Sequence, residues 1–139
     1  MKTGPIIIIE DDNDDVAILT DVLDELEVKN KVIWFGNCMD AFDYLCSTSA
    51  PPFLIFCDVN LPGQTGIEFK KIIDGNPELR KKSIPFIFYS TSTNKATVTE
   101  AYTEMTIQGF FEKGNNYNEI KANIKTIIDY WKLCKHPNS

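Results

Sequence analysis

The sequence predicts an α/β fold, a doubly wound parallel sheet of five strands with about five helices on its faces. Three observations predict it. Five short apolar runs recur along the chain, at Ile6–Ile9, Val32–Phe35, Phe53–Cys57, Phe86–Tyr89 and Gly109–Phe111. Stretches with helical spacing of apolar residues fall between them. Breakers punctuate the junctions: Pro51 and Pro52 precede the third run, Pro62 and Gly63 follow it, and Pro85 opens the fourth.

Ile6–Ile9 has no polar alternation, the pattern of a strand buried on both faces of a parallel sheet. Val16, Leu19, Leu23 and Leu26 then recur at three- to four-residue spacing and predict an amphipathic helix. Val32–Phe35 is the second strand, followed by a shorter helix near Ala41–Leu45. Phe53–Cys57 repeats the unbroken apolar pattern of the first run, and a short helix is expected near Phe69–Ile73. After the strand Phe86–Tyr89, a helix is expected on Val98, Ala101, Tyr102 and Met105, then the strand Gly109–Phe111. Ile120, Ile124, Ile127, Trp131 and Cys134 form the clearest helical stripe. No linker or repeat interrupts this alternation. The 139 residues therefore read as one domain, 1–139, large enough to bury a core over about 4–134. The polar tail Lys135–Ser139 is expected to fray.

Hydrophobic residues make up 43% and charged residues 24%, a balance that suits a soluble globular protein and not a disordered one. The net charge of −6 works against broad binding to nucleic acid or anionic membranes, which needs clustered Lys and Arg. No segment approaches the roughly 20 apolar residues of a membrane span. The run after MKTGP meets acid at once, unlike a signal peptide. A cytoplasmic location is expected, and the four Cys show no metal or disulfide spacing. They read as reduced thiols, with Cys57 packed in a strand and Cys134 on a helix face.

In an open α/β sheet, ligands bind beyond the carboxyl ends of the strands, where strand order reverses. Glu10, Asp11 and Asp12 follow the first run. Asp58, Val59 and Asn60 follow the third, Ser90, Thr91 and Ser92 the fourth, and Glu112 and Lys113 the fifth. By analogy with the flavodoxin-like order 2-1-3-4-5, the first and third strands are neighbours at the switch point, which sets Asp11 beside Asp58. Two unit charges about 4 Å apart cost about 4 kcal/mol at an effective dielectric of 20. Such a cluster persists most easily around a cation or a shared proton. All-oxygen ligands suit Mg²⁺, which keeps several waters and accepts a phosphate oxygen. Lys113 adds a point donor to phosphate. Asp12, Asp14 and Asp15 read instead as acids in the first turn of the next helix, where the dipole favours them. A calcium loop starting at Asp11 fails, because its sixth position is Val16 and its twelfth Val22.

Together IIIIEDD, FLIFCDVNLPGQTGIE, IPFIFYST and GFFEK resemble, in order and spacing, the receiver domain of the two-component response-regulator (CheY-like) family. The resemblance covers essentially the whole chain. It implies a phosphoacceptor switch that is not an enzyme, though it assists its own phosphorylation and dephosphorylation. Asp58 is then the phosphate acceptor. Asp11 binds Mg²⁺ directly, Glu10 through water and Asn60 through its backbone carbonyl. Ser90 matches the switch hydroxyl, Lys113 the family's Lys, and Phe110 the aromatic switch that swings inward on phosphorylation. Two positions depart from the pattern. Gly114 stands where the family usually has Pro, which leaves room for Lys113 to be placed differently. Phe110 lacks the hydroxyl of the common Tyr.

The resemblance also implies a stand-alone receiver fed by a sensor histidine kinase or a phosphotransfer protein. Its output surface would be the fourth helix, fifth strand and fifth helix, read by an unknown downstream protein target. A homodimer is possible there. Thr91–Thr106, Tyr102 and Gln108 mark this face. Asn60 and Ser92 flank the path of attacking water and are expected to set the phosphate's lifetime. Two rivals fit less well: a phosphatase with an aspartate nucleophile wants a second Asp at position 60, and flavodoxin wants a Gly- and hydroxyl-rich loop where Glu10-Asp11-Asp12 stands. A receiver fold that takes no phosphate and serves only as a protein-interaction module remains the alternative.

Overall fold

In the structure, a computed structural model that describes residues 2–137, the apolar runs form β1 (Ile6–Ile9), β2 (Val32–Phe35), β3 (Leu54–Cys57), β4 (Phe86–Ser90) and β5 (Gly109–Glu112). They pair in parallel in the order β2-β1-β3-β4-β5, as expected. Between and after them lie α1 (Asn13–Glu25), α2 (Cys38–Ser47), α3 (Gly66–Gly75), α4 (Pro77–Lys82), α5 (Lys95–Glu104) and α6 (Tyr117–Leu133).

The helix α4 was not among the expected elements. Its local signals are nonetheless complete. Asn76 caps it by accepting from the amides of Glu78 and Leu79, Pro77 opens it, and Arg80, Lys81 and Lys82 occupy its last turn, where cations suit the helix dipole. Six residues are too few to display a 3.6-residue period. The expected fourth and fifth helices are therefore α5 and α6.

β1, β3 and β4 are buried throughout, which explains their unbroken apolar runs. Alternate residues feed opposite faces. Ile7, Ile9, Ile55, Cys57, Phe86 and Phe88 pack with Ala41, Leu45, Phe69 and Ile73 on one side. On the other, Ile6, Ile8, Leu54, Phe56, Ile87 and Tyr89 pack with buried residues of α1 and α6. Each fully buried Ile or Phe contributes about 1.5–3 kcal/mol. These two cores hold the carboxyl ends of β1, β3 and β4 rigidly side by side.

Away from that edge, one buried cation ties α3 to the segment before β5. Lys70, 5% exposed, donates to Asp74 Oδ1 at 2.7 Å and lies over the Phe86 ring. Asp74 in turn accepts from the amide and hydroxyl of Thr106 at 2.7 and 2.8 Å.

Two expectations about the carboxyl-terminal end need correction. Cys134 is the C-cap residue of α6, its amide donating to Tyr130 O, and it does not lie on the helix face. The tail does not simply fray: His136 is buried, with Nε2 2.8 Å from Phe53 O and its ring against Phe53 and Trp131. Asn138 and Ser139 lie outside the described residues. The four cysteines are free, with Cys57 buried in β3. Among the described residues no helix is long and apolar enough to cross a membrane.

Candidate phosphoacceptor and metal site

The sheet ladder runs one residue past the strands, and that extension sets the site. Glu10 N donates to Phe35 O, Asp58 N to Ile9 O, and Lys113 N to Ser90 O, each at 3.0 Å. Each functional residue is thereby held by the strand beside it. The Trp34 indole adds a donor to Glu10 O at 2.6 Å.

Asp58 is the centre of the array and is 6% exposed. Its Oδ1 accepts from Ser90 Oγ at 2.6 Å and from Asn60 N at 3.2 Å. Its Oδ2 accepts from Lys113 Nζ at 2.9 Å. The Lys113 ammonium also donates to Glu10 Oε1 and to Asp15 Oδ2 at 2.7 Å. Its three N–H donors thus face three carboxylates. The backbone at 113–114 is trans, and Gly114 has not displaced Lys113 from the site.

These contacts divide the two buried acids. Burial pushes the Glu10 carboxyl up to about 7, against the opposing pull of Lys113. Burial acts the same way on Asp58, but hydrogen bonds from Ser90 and Lys113 outweigh it and hold that carboxyl below its ordinary value. Lys113 is itself desolvated, yet its three carboxylate partners raise its pKa well above the usual lysine range. Asp58 is therefore the more readily ionised member of the pair, with Lys113 charged beside it.

Glu10, Asp11 and Asp58 each offer one carboxylate oxygen within 4.8 Å of the others. Glu10 and Asp58 are buried and Asp11 is exposed. An all-oxygen, acid-rich set that is open on one side suits a hard divalent cation such as Mg²⁺, which retains waters and leaves room for a phosphate oxygen. The donor set fits the metal expected from the sequence.

The remaining expected residues lie around this centre. The side chain of Asn60 donates to Ser92 Oγ, linking the two residues expected to flank the water path. Phe110 is partly buried, its ring centroid 5.4 Å from that of Phe88. Its amide donates to the hydroxyl of exposed Tyr102 at 3.0 Å.

Three participants escaped the sequence reading. Asp12 does cap α1, accepting from the amides of Asp14 and Asp15. Asp15, however, also turns its carboxylate onto Lys113. The signal was its spacing of four from Asp11, one helical turn, but a first-turn acid already had a sufficient local explanation. Gly66 is the second: a Cβ there would lie 2.2 Å from Asp58 O, so only glycine lets α3 begin this close to the Asp58 backbone. Trp34 is the third, because nothing in VIWF announces an indole reaching Glu10, just past β1.

The response regulator receiver domain family matches residues 6–125. A curated relative, response regulator Rcp1 of Synechocystis sp., is 27% identical over 131 residues, covering 91% of this chain and 87% of its own. Among solved structures, the phosphorylated cyanobacterial phytochrome response regulator RcpA is 26% identical with a TM-score of 0.86, covering 97% of this chain and 98% of that one. The Mn²⁺-bound form of response regulator Rcp1 is also 26% identical, with a TM-score of 0.83 and coverage of 97% and 99%. A receiver domain from Rhodospirillum rubrum, 23% identical with a TM-score of 0.84 and coverage of 97% and 98%, shares the fold.

Proposed function

The chain belongs to the response regulator receiver domain family, and on that premise we propose that it acts as one receiver unit whose phosphate acceptor is Asp58. The carboxylate of Asp58 attacks phosphorus. An O–P bond forms on Asp58 as the P–N bond of a phosphohistidine, or the P–O bond of a small acyl phosphate, breaks. The observation that supports this most strongly is the convergence on one ionised carboxylate of a hydroxyl, Ser90 Oγ at 2.6 Å, and an ammonium, Lys113 Nζ at 2.9 Å.

Glu10, Asp11 and Asp58 would hold Mg²⁺, with the Asn60 carbonyl as a further ligand; the ion would supply charge neutralisation on the phosphoryl oxygens. Lys113 donates to a phosphoryl oxygen and keeps it oriented. The buried cores behind β1 and β3 stop the acceptor from retreating. Once Asp58 carries the phosphoryl group, Ser90 moves to bond one of its oxygens, and Phe110 turns into the space released. That shift biases the surface of α5, β5 and α6 between two states. Asn60 and Ser92, bonded to each other at the mouth, govern water's approach and so the phosphate's lifetime.

The upstream partner is a sensor histidine kinase or a phosphotransfer protein, and the reaction takes place in the cytoplasm. The α5-β5-α6 face meets the downstream partner, a protein target or a second copy of this chain. RcpA is phosphorylated and Rcp1 binds Mn²⁺, and both support the same chemistry here.

Incubation with acetyl phosphate and Mg²⁺, followed by intact mass, tests the reading. A species heavier by one phosphoryl group is expected, dependent on Mg²⁺ and lost in Asp58→Ala. No adduct with any small phosphodonor or phosphohistidine donor would favour the interaction-module reading.

A further inference from the structure

Lys113 bonds Glu10, Asp15 and Asp58 at once. Two of those three acids have other work in the proposed cycle. Glu10 and Asp58 belong to the oxygen cluster suited to a cation, and Asp15 does not. Asp58 also becomes the esterified residue. When a cation and a phosphoryl group occupy the site, Asp15 is the one of the three carboxylates left with no competing ligand.

Its position suits a permanent hold. Asp15 sits in the first turn of α1, a 13-residue helix capped by Asp12 and anchored through Val16 and Leu19 in the core. Lys113 sits at a looser place, immediately after β5 at the edge of the sheet, followed by Gly114 instead of a stiffening Pro. Beside the pair, a cavity of about 30 Å³ is lined by Asp15, Tyr89, Lys113 and Gly114. The buried Tyr89 hydroxyl is near this cavity, where the Gly114 backbone and the charges of Lys113, Asp15 and Glu119 act on it. The cavity has room for one water.

The geometry points to Asp15 as a positioning residue: its carboxylate on α1 holds the Lys113 ammonium in place for phosphoryl transfer while Glu10 and Asp58 engage the cation and the phosphoryl group. This rests on Asp58 being the acceptor. Asp15 touches neither the cation cluster nor the reacting atoms; it acts through Lys113.

Asp15→Asn, nearly isosteric, and Asp15→Ala test it in the Mg²⁺-loaded protein by three readouts. NMR of the Lys113 ammonium should show proton exchange faster by on the order of tenfold, because a charge-assisted hydrogen bond is lost. The phosphorylation rate with acetyl phosphate should fall on the order of ten- to a hundredfold, the scale of a misplaced catalytic group. Mg²⁺ affinity should stay within about twofold, since the cation's own ligands are intact. Unchanged Lys113 exchange, or a wild-type phosphorylation rate, in Asp15→Asn would overturn the proposal. So would a tenfold loss of Mg²⁺ affinity, which would make Asp15 a metal ligand. A wild-type protein that takes no phosphoryl group overturns the acceptor reading itself, whereas Lys113 exchange in the variants judges the hold separately.

Discussion

The hydroxyl of Ser90 lies 2.6 Å from Asp58 Oδ1, and the same oxygen of Ser90 accepts the amide of Ser92 at 3.1 Å. Ser90 therefore couples the Asp58 carboxylate to the loop that leads into α5. Ser90→Ala removes a hydrogen bond to a charged group, worth about 1.5–3 kcal/mol. Chemical denaturation should show a loss of that size in the metal-free protein. Phosphorylation should then leave the NMR shifts of Phe110 and Tyr102 nearly unmoved, because the link from Asp58 to the output face is gone.

Divalent metal should stabilise the fold through the acids it neutralises. At a concentration about 100 times its dissociation constant, Mg²⁺ adds about 2.7 kcal/mol, visible as a rise in Tm that a chelator reverses. Asp11→Asn, at an exposed position, should leave the metal-free Tm nearly unchanged and abolish most of the rise. A full Mg²⁺ response in that variant would remove Asp11 from the metal set.

Gly66→Ala should disturb Asp58 without touching its side chain. The added Cβ meets Asp58 O at 2.2 Å and Phe88 Cε1 at 3.1 Å, and the first of these is backbone that cannot swing aside. Overpacking of this kind costs roughly 1–3 kcal/mol. Thermal unfolding should show that loss, together with slower phosphorylation.

The Lys70–Asp74–Thr106 tie predicts an asymmetry. Asp74→Ala strands a buried ammonium and should cost roughly 3–5 kcal/mol. Lys70→Met keeps the stem's packing against Phe86 and removes the charge, so its cost should be clearly smaller. Urea unfolding of the two variants side by side reads the difference.

His136 sets a pH dependence. Burial lowers its pKa below 6.5, with Lys2 adding to the effect and the Phe53 carbonyl opposing it. The folded state thus prefers the neutral ring. The stability His136 contributes is full above pH 6.5 and is lost as pH falls through its depressed folded value. Glu10 works in the opposite sense in the metal-free protein. Its folded pKa is raised from 4.5 to about 7, so its contribution is full below about 4.5 and lost as pH rises through about 7. The difference in stability between wild type and His136→Phe isolates the histidine. It should shrink on going from pH 7.5 to pH 5.

Much of this architecture was legible because buried parallel strands write themselves as unbroken apolar runs, and IIII and LIFC could hardly be read otherwise. The acids, hydroxyl and lysine of the site were legible because sheet topology gathers strand ends at one edge. What stayed hidden depends on contacts that no period reveals. The helix α4 is shorter than two turns, Gly66 matters only because another chain segment crosses it, and Asp15 had a local role that concealed its distant one. In the sequence His136 reads as part of a polar tail, since a single imidazole carries no pattern that announces burial.

The central claim is that the carboxylate of residue 58 carries the phosphoryl group. Borohydride reduction of the phosphorylated protein converts an aspartyl phosphate to homoserine, and peptide mass mapping then locates it. Homoserine at position 58, formed only when phosphodonor and Mg²⁺ are both present, is the predicted result. Homoserine at Asp11 or any other acid, or phosphorylated protein that yields none at all, would contradict it.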